Sequence, residues 1–265
     1  MSYSDIYKSI GLNTELSRLE SQVRIGWEKE LIALKMLGLC DNSKILEIGS
    51  GPGFVTERLL NEFPRSAVVC LDIDDVLLSI ARKRLSNYDN KRLFILKGDV
   101  MNMKLKDNLF DFVIIRFVYQ HLKDPVTASK EIFRVLKPGG KIIITDIDND
   151  LWGICEPEIK QIKDTMSKLT NMQNAGGGDR KIGRKLLKIL KVSGFVDLDF
   201  EVVAKHSDMV GMDSLISKID INSIVKNNKF NKEQLRNLIY MYNNFSTSEE
   251  SVAIILLLMA SGTKP

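Results

Sequence analysis

Lys44-Ile45-Leu46-Glu47-Ile48-Gly49-Ser50-Gly51-Pro52-Gly53 is an apolar strand that runs through an acidic residue into a glycine-rich turn. Gly49, Gly51 and Gly53 lack the Cβ atoms that would keep a ligand off the backbone. The stretch Phe54 to Leu60 then reads as a helix whose first amides face that ligand. A dinucleotide fingerprint would set a pyrophosphate on this helix start and ask for Gly or Ala at the last fingerprint position, which Phe54 occupies here. Glu47 beside a phosphate would be repulsive. A carboxylate suits a cofactor that carries positive charge, such as the amino group and sulfonium of S-adenosyl-L-methionine.

Working outward, the chain alternates strands and helices, the pattern of a parallel sheet covered on both faces. An N-terminal helical region, Thr14 to Leu37, carries apolar residues at Leu16, Leu19, Val23, Trp27, Leu31 and Leu34, with Gly26 as a point of division. Strands are predicted at Lys44–Ile48, Ala67–Ile73, Leu93–Lys97, Phe112–Phe117, Lys141–Thr145, Val196–Val203 and Val252–Ala260. Asp74 or Asp75 caps the helix after the second strand, and Asp124-Pro125 starts another in the favoured cap and first-turn positions. The run Val252 to Ala260 is too short for a membrane helix and reads as a strand buried on both faces.

A single domain over 1–265 is expected, with an N-terminal helical cap at 1–40 and a cofactor-binding core at 41–148. Residues 149–182 and 204–250 depart from the sheet pattern and read as helical lid insertions, and 251–265 supplies the final strand and tail. Gly176-Gly177-Gly178 reads as a flexible joint within the first insertion. Hydrophobic residues at 44% and charged residues at 27% are ordinary for a globular protein with a real core. The net charge of +4 is scattered, which argues against a nucleic-acid surface. Cys40, Cys70 and Cys155 show no CxxC spacing, and Met1 to Asp5 is polar, so a cytoplasmic protein with neither disulfides nor a zinc site is expected.

Ligands of open α/β sheets sit outside the carboxyl ends of the strands. Asp72, at the end of strand two, is placed to accept hydrogen bonds from ribose hydroxyls, with Ile73 as an apolar wall. Asp99 follows strand three, where it can accept from an exocyclic adenine amine while the backbone of Val100 reads the ring edge. Asp146, Asp148 and Asp150 resemble a metal cluster, but Arg116 stands where a further oxygen ligand would be needed, and no metal is expected.

Five segments in order, Glu47 to Gly53, Asp72, Gly98-Asp99, Phe110 to Val113 and Leu136 to Gly140, resemble the class I S-adenosylmethionine-dependent methyltransferases, and within them the bacterial small-molecule group. The resemblance covers residues 30 to 147 well and the rest more loosely. It implies a Rossmann-like seven-stranded sheet with the last strand antiparallel. It also implies cofactor contacts from Glu47, Gly49, Ser50, Gly51, Gly53, Asp72, Ile73, Asp99, Val100, Arg116 and Phe117.

Methyl transfer asks mainly for positioning, with a base where the acceptor must lose a proton. His121, just beyond strand four, is the candidate base, with a structural role as its alternative. Tyr119, Trp152 and Arg180 are candidate acceptor contacts. A small-molecule acceptor is the expected partner, without nucleic acid or membrane, in a monomer or homodimer. A cofactor-retaining protein that does not methylate, such as a cyclase or scaffold, would share every cofactor motif. A nucleic-acid base methyltransferase would show an Asn/Asp-Pro-Pro-aromatic loop where this chain has Arg116 to Leu122.

Overall fold

The computed structural model describes residues 11–151, 153–158, 167, 170–171, 173–215, 236, 240 and 243–265. Its main elements are α1 (Leu12–Met36), β1 (Lys44–Ile48), α2 (Phe54–Glu62), β2 (Ala67–Asp72), α3 (Asp75–Arg84), β3 (Leu93–Lys97), β4 (Phe110–Arg116), α4 (Pro125–Val135), β5 (Leu136–Asp146), β6 (Gly153–Glu156), α5 (Leu186–Val192), β7 (Val196–His206) and β8 (Val252–Thr263). The sheet order is β3-β2-β1-β4-β5-β8-β6, and β7 pairs with β8 as well. β1 to β5 are mutually parallel, whereas β8 runs antiparallel to β5, β6 and β7.

The reversed last strand is as expected, but the sheet has eight strands where seven were predicted. The addition is β6, which pairs with the first half of β8 on the edge that β5 occupies further along. Its four residues lie in the stretch read as an insertion without strand periodicity. Four residues are too few to show a period of two.

The strands read as unbroken apolar runs because both faces are covered. Leu46, Ile48, Val113, Ile115, Ile142 and Ile144 pack with Ile132 and Val135 of α4 and Leu186 and Leu190 of α5. Ile45, Val68, Phe112, Ile114 and Ile143 turn the other way, toward Trp27, Leu31 and Leu34 of α1 and Leu59 and Leu60 of α2. Each such side chain contributes roughly 1.5–3 kcal/mol of burial, so the two layers fix the strand register.

Local signals set the helix starts. Asp74 caps α3 by accepting from the amides of Val76 and Leu77, and Asp124 caps α4 by accepting from Thr127 with Pro125 in the first turn. Gly26 does not divide α1, which runs unbroken from Leu12 to Met36. A Cβ there would lie 2.0 Å from Lys205 Nζ and 2.5 Å from Glu30 Oε1. The glycine therefore serves a close tertiary approach, which a helical period cannot announce.

Candidate active site

The carboxyl ends of β1, β2, β3 and β4 lie side by side, and the glycine turn bridges β1 to α2. Gly49, Gly51 and Gly53 all have positive φ, at 69°, 52° and 83°. At Gly49 an added Cβ would sit 2.2 Å from Val118 Cγ2, so the turn is closed against the segment after β4. Ser50 is buried in the same turn. The next layer down is acidic. Glu47 is 5% exposed and accepts a 2.5 Å hydrogen bond from Thr56 Oγ1, in the first turn of α2. Burial pushes the Glu47 carboxyl up to about 8, with Thr56 working against that rise and the nearby Asp72 adding to it. Thr56 was not singled out by the sequence, although it sits one helical turn beyond the glycines.

Asp72 uses both carboxylate oxygens locally. Oδ2 accepts from the Gly51 amide at 2.7 Å and Oδ1 from the Asp74 amide at 2.9 Å. Burial raises its pKa, and those backbone amides oppose the rise. The same carboxylate thus braces the glycine turn and stands at its open side. Ile73 beside it is 59% exposed, an apolar surface the core does not use. Asp99 is exposed, with Oδ1 accepting from the Met101 amide at 2.8 Å, and Val100 is buried. A positive-φ glycine cradle, an acidic floor and an exposed apolar wall together fit a cationic nucleoside cofactor. The cofactor would be held by Glu47, the turn, Asp72, Ile73, Asp99 and Val100.

Arg116 departs from its expected place as a cofactor contact. Its guanidinium reaches away from the glycine turn to α1, where Nε and Nη2 donate to the two oxygens of Glu30 at 2.8 and 2.9 Å and Nη2 also reaches the Gln22 carbonyl. It lies 4.4 Å from the Phe117 ring centroid. Phe117 has φ 58°, a left-handed conformation uncommon for a non-glycine residue, and its amide donates to the Thr145 carbonyl. Lys205, from the end of β7, lies 3.6 Å from Glu30 Oε1. All three charged side chains are nearly buried. Glu30 stays ionised because Arg116 and Lys205 outweigh its desolvation, whereas burial brings Lys205 down to about 8.

Tyr119 cannot touch the acceptor as expected. It is fully buried, and its hydroxyl pairs with Ser129 Oγ at 2.8 Å. His121 and Arg180 are brought together through Gln173, a residue the sequence gave no reason to choose. Trp152 lies outside the described residues. The Gly176–Gly178 joint is anchored, not flexible. The Asp179 amide donates to the Gln120 carbonyl at 2.8 Å, and a Cβ on Gly178 would come within 2.5 Å of that same oxygen. Asp148 and Asp150 are taken up by Arg184, with Lys181 also on Asp150. Among the described residues no group of three or more His, Cys, Asp or Glu side chains is arranged to hold a metal.

A doubly covered α/β sheet with a reversed last strand and this site places the chain among the class I S-adenosylmethionine-dependent methyltransferases. Residues 46–144 match the family model Methyltransf_11, described as a methyltransferase domain. The chain is 30% identical over 155 residues to a ubiquinone/menaquinone biosynthesis C-methyltransferase, UbiE, of Wigglesworthia glossinidia brevipalpis, covering 57% of this chain and 60% of that one. It is 32% identical over 119 residues to a demethylmenaquinone methyltransferase of Lactiplantibacillus plantarum, covering 44% and 49%. The chain thus spans about half to three-fifths of these curated relatives. Among solved structures it shares its fold with Haemonchus contortus phosphoethanolamine N-methyltransferase 2 in complex with phosphomonomethylethanolamine and S-adenosylhomocysteine. That match has a TM-score of 0.64 at 21% identity and covers 100% of this chain and 61% of that one. Among the described residues no helix is long and apolar enough to cross a membrane.

Proposed function

We propose that this protein transfers the methyl group of S-adenosyl-L-methionine to a small-molecule acceptor. The observation that carries the reading is the positive-φ turn Gly49–Gly53 braced by Asp72 over the buried Glu47. When bound, the cofactor supplies a methyl group already activated by a sulfonium. The chain's own residues then bind, orient and exclude water. Asp72 accepts from the ribose hydroxyls, Ile73 and Val100 flank the base, and Asp99 accepts from its amine. Glu47 supplies negative charge beneath the cationic end. The strained Phe117 holds the backbone at the end of β4 where acceptor and methyl group meet. The segments 149–182 and 204–250 are read as the acceptor's cover. Support comes from the docking of Gln173 and Asp179 on the Gln120 carbonyl, which ties the first of them to the turn after β4.

The relatives named for quinone carbon methylation make a naphthohydroquinone the first acceptor to try. Incubation with methyl-labelled cofactor and a panel of quinols, catechols and amines, followed by mass spectrometry, is the direct test. Label in none of them would sink the proposal. Asp72→Ala is expected to weaken cofactor binding in calorimetry by about 1.5–3 kcal/mol, the worth of hydrogen bonds to a charged group. Unchanged affinity in a folded variant would remove Asp72 from the ribose.

A further inference from the structure

The side-chain amide of Gln173 is fixed by three neighbours. Arg180 Nη1 donates to Oε1 at 3.1 Å, and Nε2 donates to the Gln120 carbonyl at 2.6 Å. A guanidinium can only donate and a carbonyl can only accept, so both contacts demand the same orientation of the amide. Gln173 Nε2 also lies 3.3 Å from His121 Nδ1. Since that nitrogen of Gln173 is a donor, His121 Nδ1 must be the acceptor, and the proton of the neutral ring belongs on Nε2. The ring is not readily charged. Part of it reaches the surface, but loss of solvent around the imidazole and the facing Arg180 guanidinium bring its pKa down to about 4. A base is most effective when its pKa lies near the working pH, and this ring falls well below.

The tautomer changes the role expected of His121. We propose that His121 serves the acceptor as a fixed hydrogen-bond donor through Nε2–H, with Gln173 and Arg180 as positioning residues, and that the acceptor is a phenolate or enolate methylated at carbon. The inference rests on the methyltransferase reading and narrows its acceptor class. A donor on the acceptor's oxygen ties up the lone pair that would otherwise attack, and leaves the conjugated carbon as the nucleophile. That carbon supplies the electron pair of the new bond, and the carbon–sulfur bond breaks with its pair on sulfur. For an aromatic acceptor the displaced ring proton passes to water. His121 gives up and takes up no proton.

The chain has two histidines, which makes the test direct. In a His206→Asn protein labelled with ¹⁵N-histidine, the remaining ring should show an unprotonated Nδ1 and a protonated Nε2 from pH 6 to pH 8. Gln173→Glu should reverse this, because a carboxylate accepts from Nδ1–H, and should raise the ring's pKa. Arg180→Gln should loosen the preference. In turnover with a naphthohydroquinone bearing an open ring carbon, His121→Ala should cost roughly 10²-fold in kcat, the scale of one lost oxyanion donor. Cofactor affinity should stay within about threefold, and His121→Asn should recover part of the loss through its amide N–H. An Nδ1–H tautomer, or an acid limb in the pH profile of kcat that vanishes in His121→Ala, would overturn the proposal. The expected tautomer with no labelled methyl in any acceptor would instead overturn the methyltransferase reading, and the donor role with it.

Discussion

The two ends of this site are built on opposite principles. The cofactor end is local: Glu47, Gly49, Gly51, Gly53 and Thr56 lie within one strand, turn and helix start, and Asp72 joins them from the neighbouring strand. The acceptor end is assembled over long range, with Glu30 and Gln22 from α1, Arg116 from β4 and Lys205 from β7 meeting in one buried ionic group. Around His121 the same holds, since Gln173 and Arg180 arrive from beyond β6. Backbone conformation makes the first end, and paired charge makes the second. One chain can therefore keep a fixed cofactor site while the residues that face the acceptor are drawn from distant segments.

The contrast is most exposed to failure at Glu30. Its carboxylate is the shared partner of Arg116 and Lys205, and all three side chains are nearly out of water. Glu30→Ala leaves two buried cations together, so a loss of about 3–5 kcal/mol is expected in urea unfolding. Much of it should appear as loosening of α1, read by hydrogen exchange. A loss under about 1 kcal/mol would mean that apolar packing by Trp27, Leu31 and Leu34 holds the helix and that the ionic group is incidental.

Titration separates the two ends next, because their slopes have opposite sign. Burial raises Glu47 from 4.5 to about 8, so the folded state binds more protons than the unfolded one between those values. Its contribution to stability therefore falls as pH climbs through that window. Lys205 is lowered from 10.5 to about 8, with Glu30 opposing that shift and Arg116 and Lys29 reinforcing it. Here the unfolded state binds more protons, and the contribution to stability rises from pH 8 to pH 10.5. Glu47→Gln should flatten the first slope and leave the second, and Lys205→Met should do the reverse. Melting curves from pH 5 to pH 10 decide the matter, and identical profiles for both variants would erase the distinction.

The legibility of the sequence divides along the same line. Glu47, the glycines, Asp72 and the caps Asp74 and Asp124 could be read because each acts within a few residues of itself. Long-range partnerships could not. Glu30 lies on the buried side of α1 among Trp27, Leu31 and Leu34, and an acid in that company was the one available sign that a cation must meet it. Gly26 looked like a division in a helix because a tertiary close approach leaves no periodic trace. Tyr119 was read as lining the site from its place after β4, whereas the three-residue turn of Tyr119–His121 points it into the core.

Smaller effects should come from the glycines, and they test whether the cofactor end is as local as it looks. Gly49→Ala meets both a positive φ and Val118 Cγ2 at 2.2 Å. A cost of roughly 1–3 kcal/mol is expected from the backbone, with further loss from the clash. Because Val118 leads into the Tyr119–His121 turn, cofactor affinity and turnover should fall together. Retained turnover with lost affinity would uncouple the glycine turn from the segment after β4.

The smallest expected effect is at Gly177, whose φ of 88° and 3.0 Å approach to Lys123 Cγ belong to the anchored turn before Asp179. Lys123 is a flexible side chain that can give way, so Gly177→Ala should cost only about 1 kcal/mol, the backbone strain of a Cβ in that conformation. A flexible joint would lose motion on this substitution, and turnover would fall while stability held. An anchored one should lose a little stability and keep its turnover, because Gln173 and Asp179 still dock on the Gln120 carbonyl. Calorimetry should find cofactor affinity within about threefold in either case, since the glycine turn lies elsewhere in the sheet. The ratio of turnover loss to stability loss is therefore the measurement that decides. A fall in turnover larger than about tenfold at unchanged melting temperature would restore the joint as a hinge and make the cover over the acceptor a moving part.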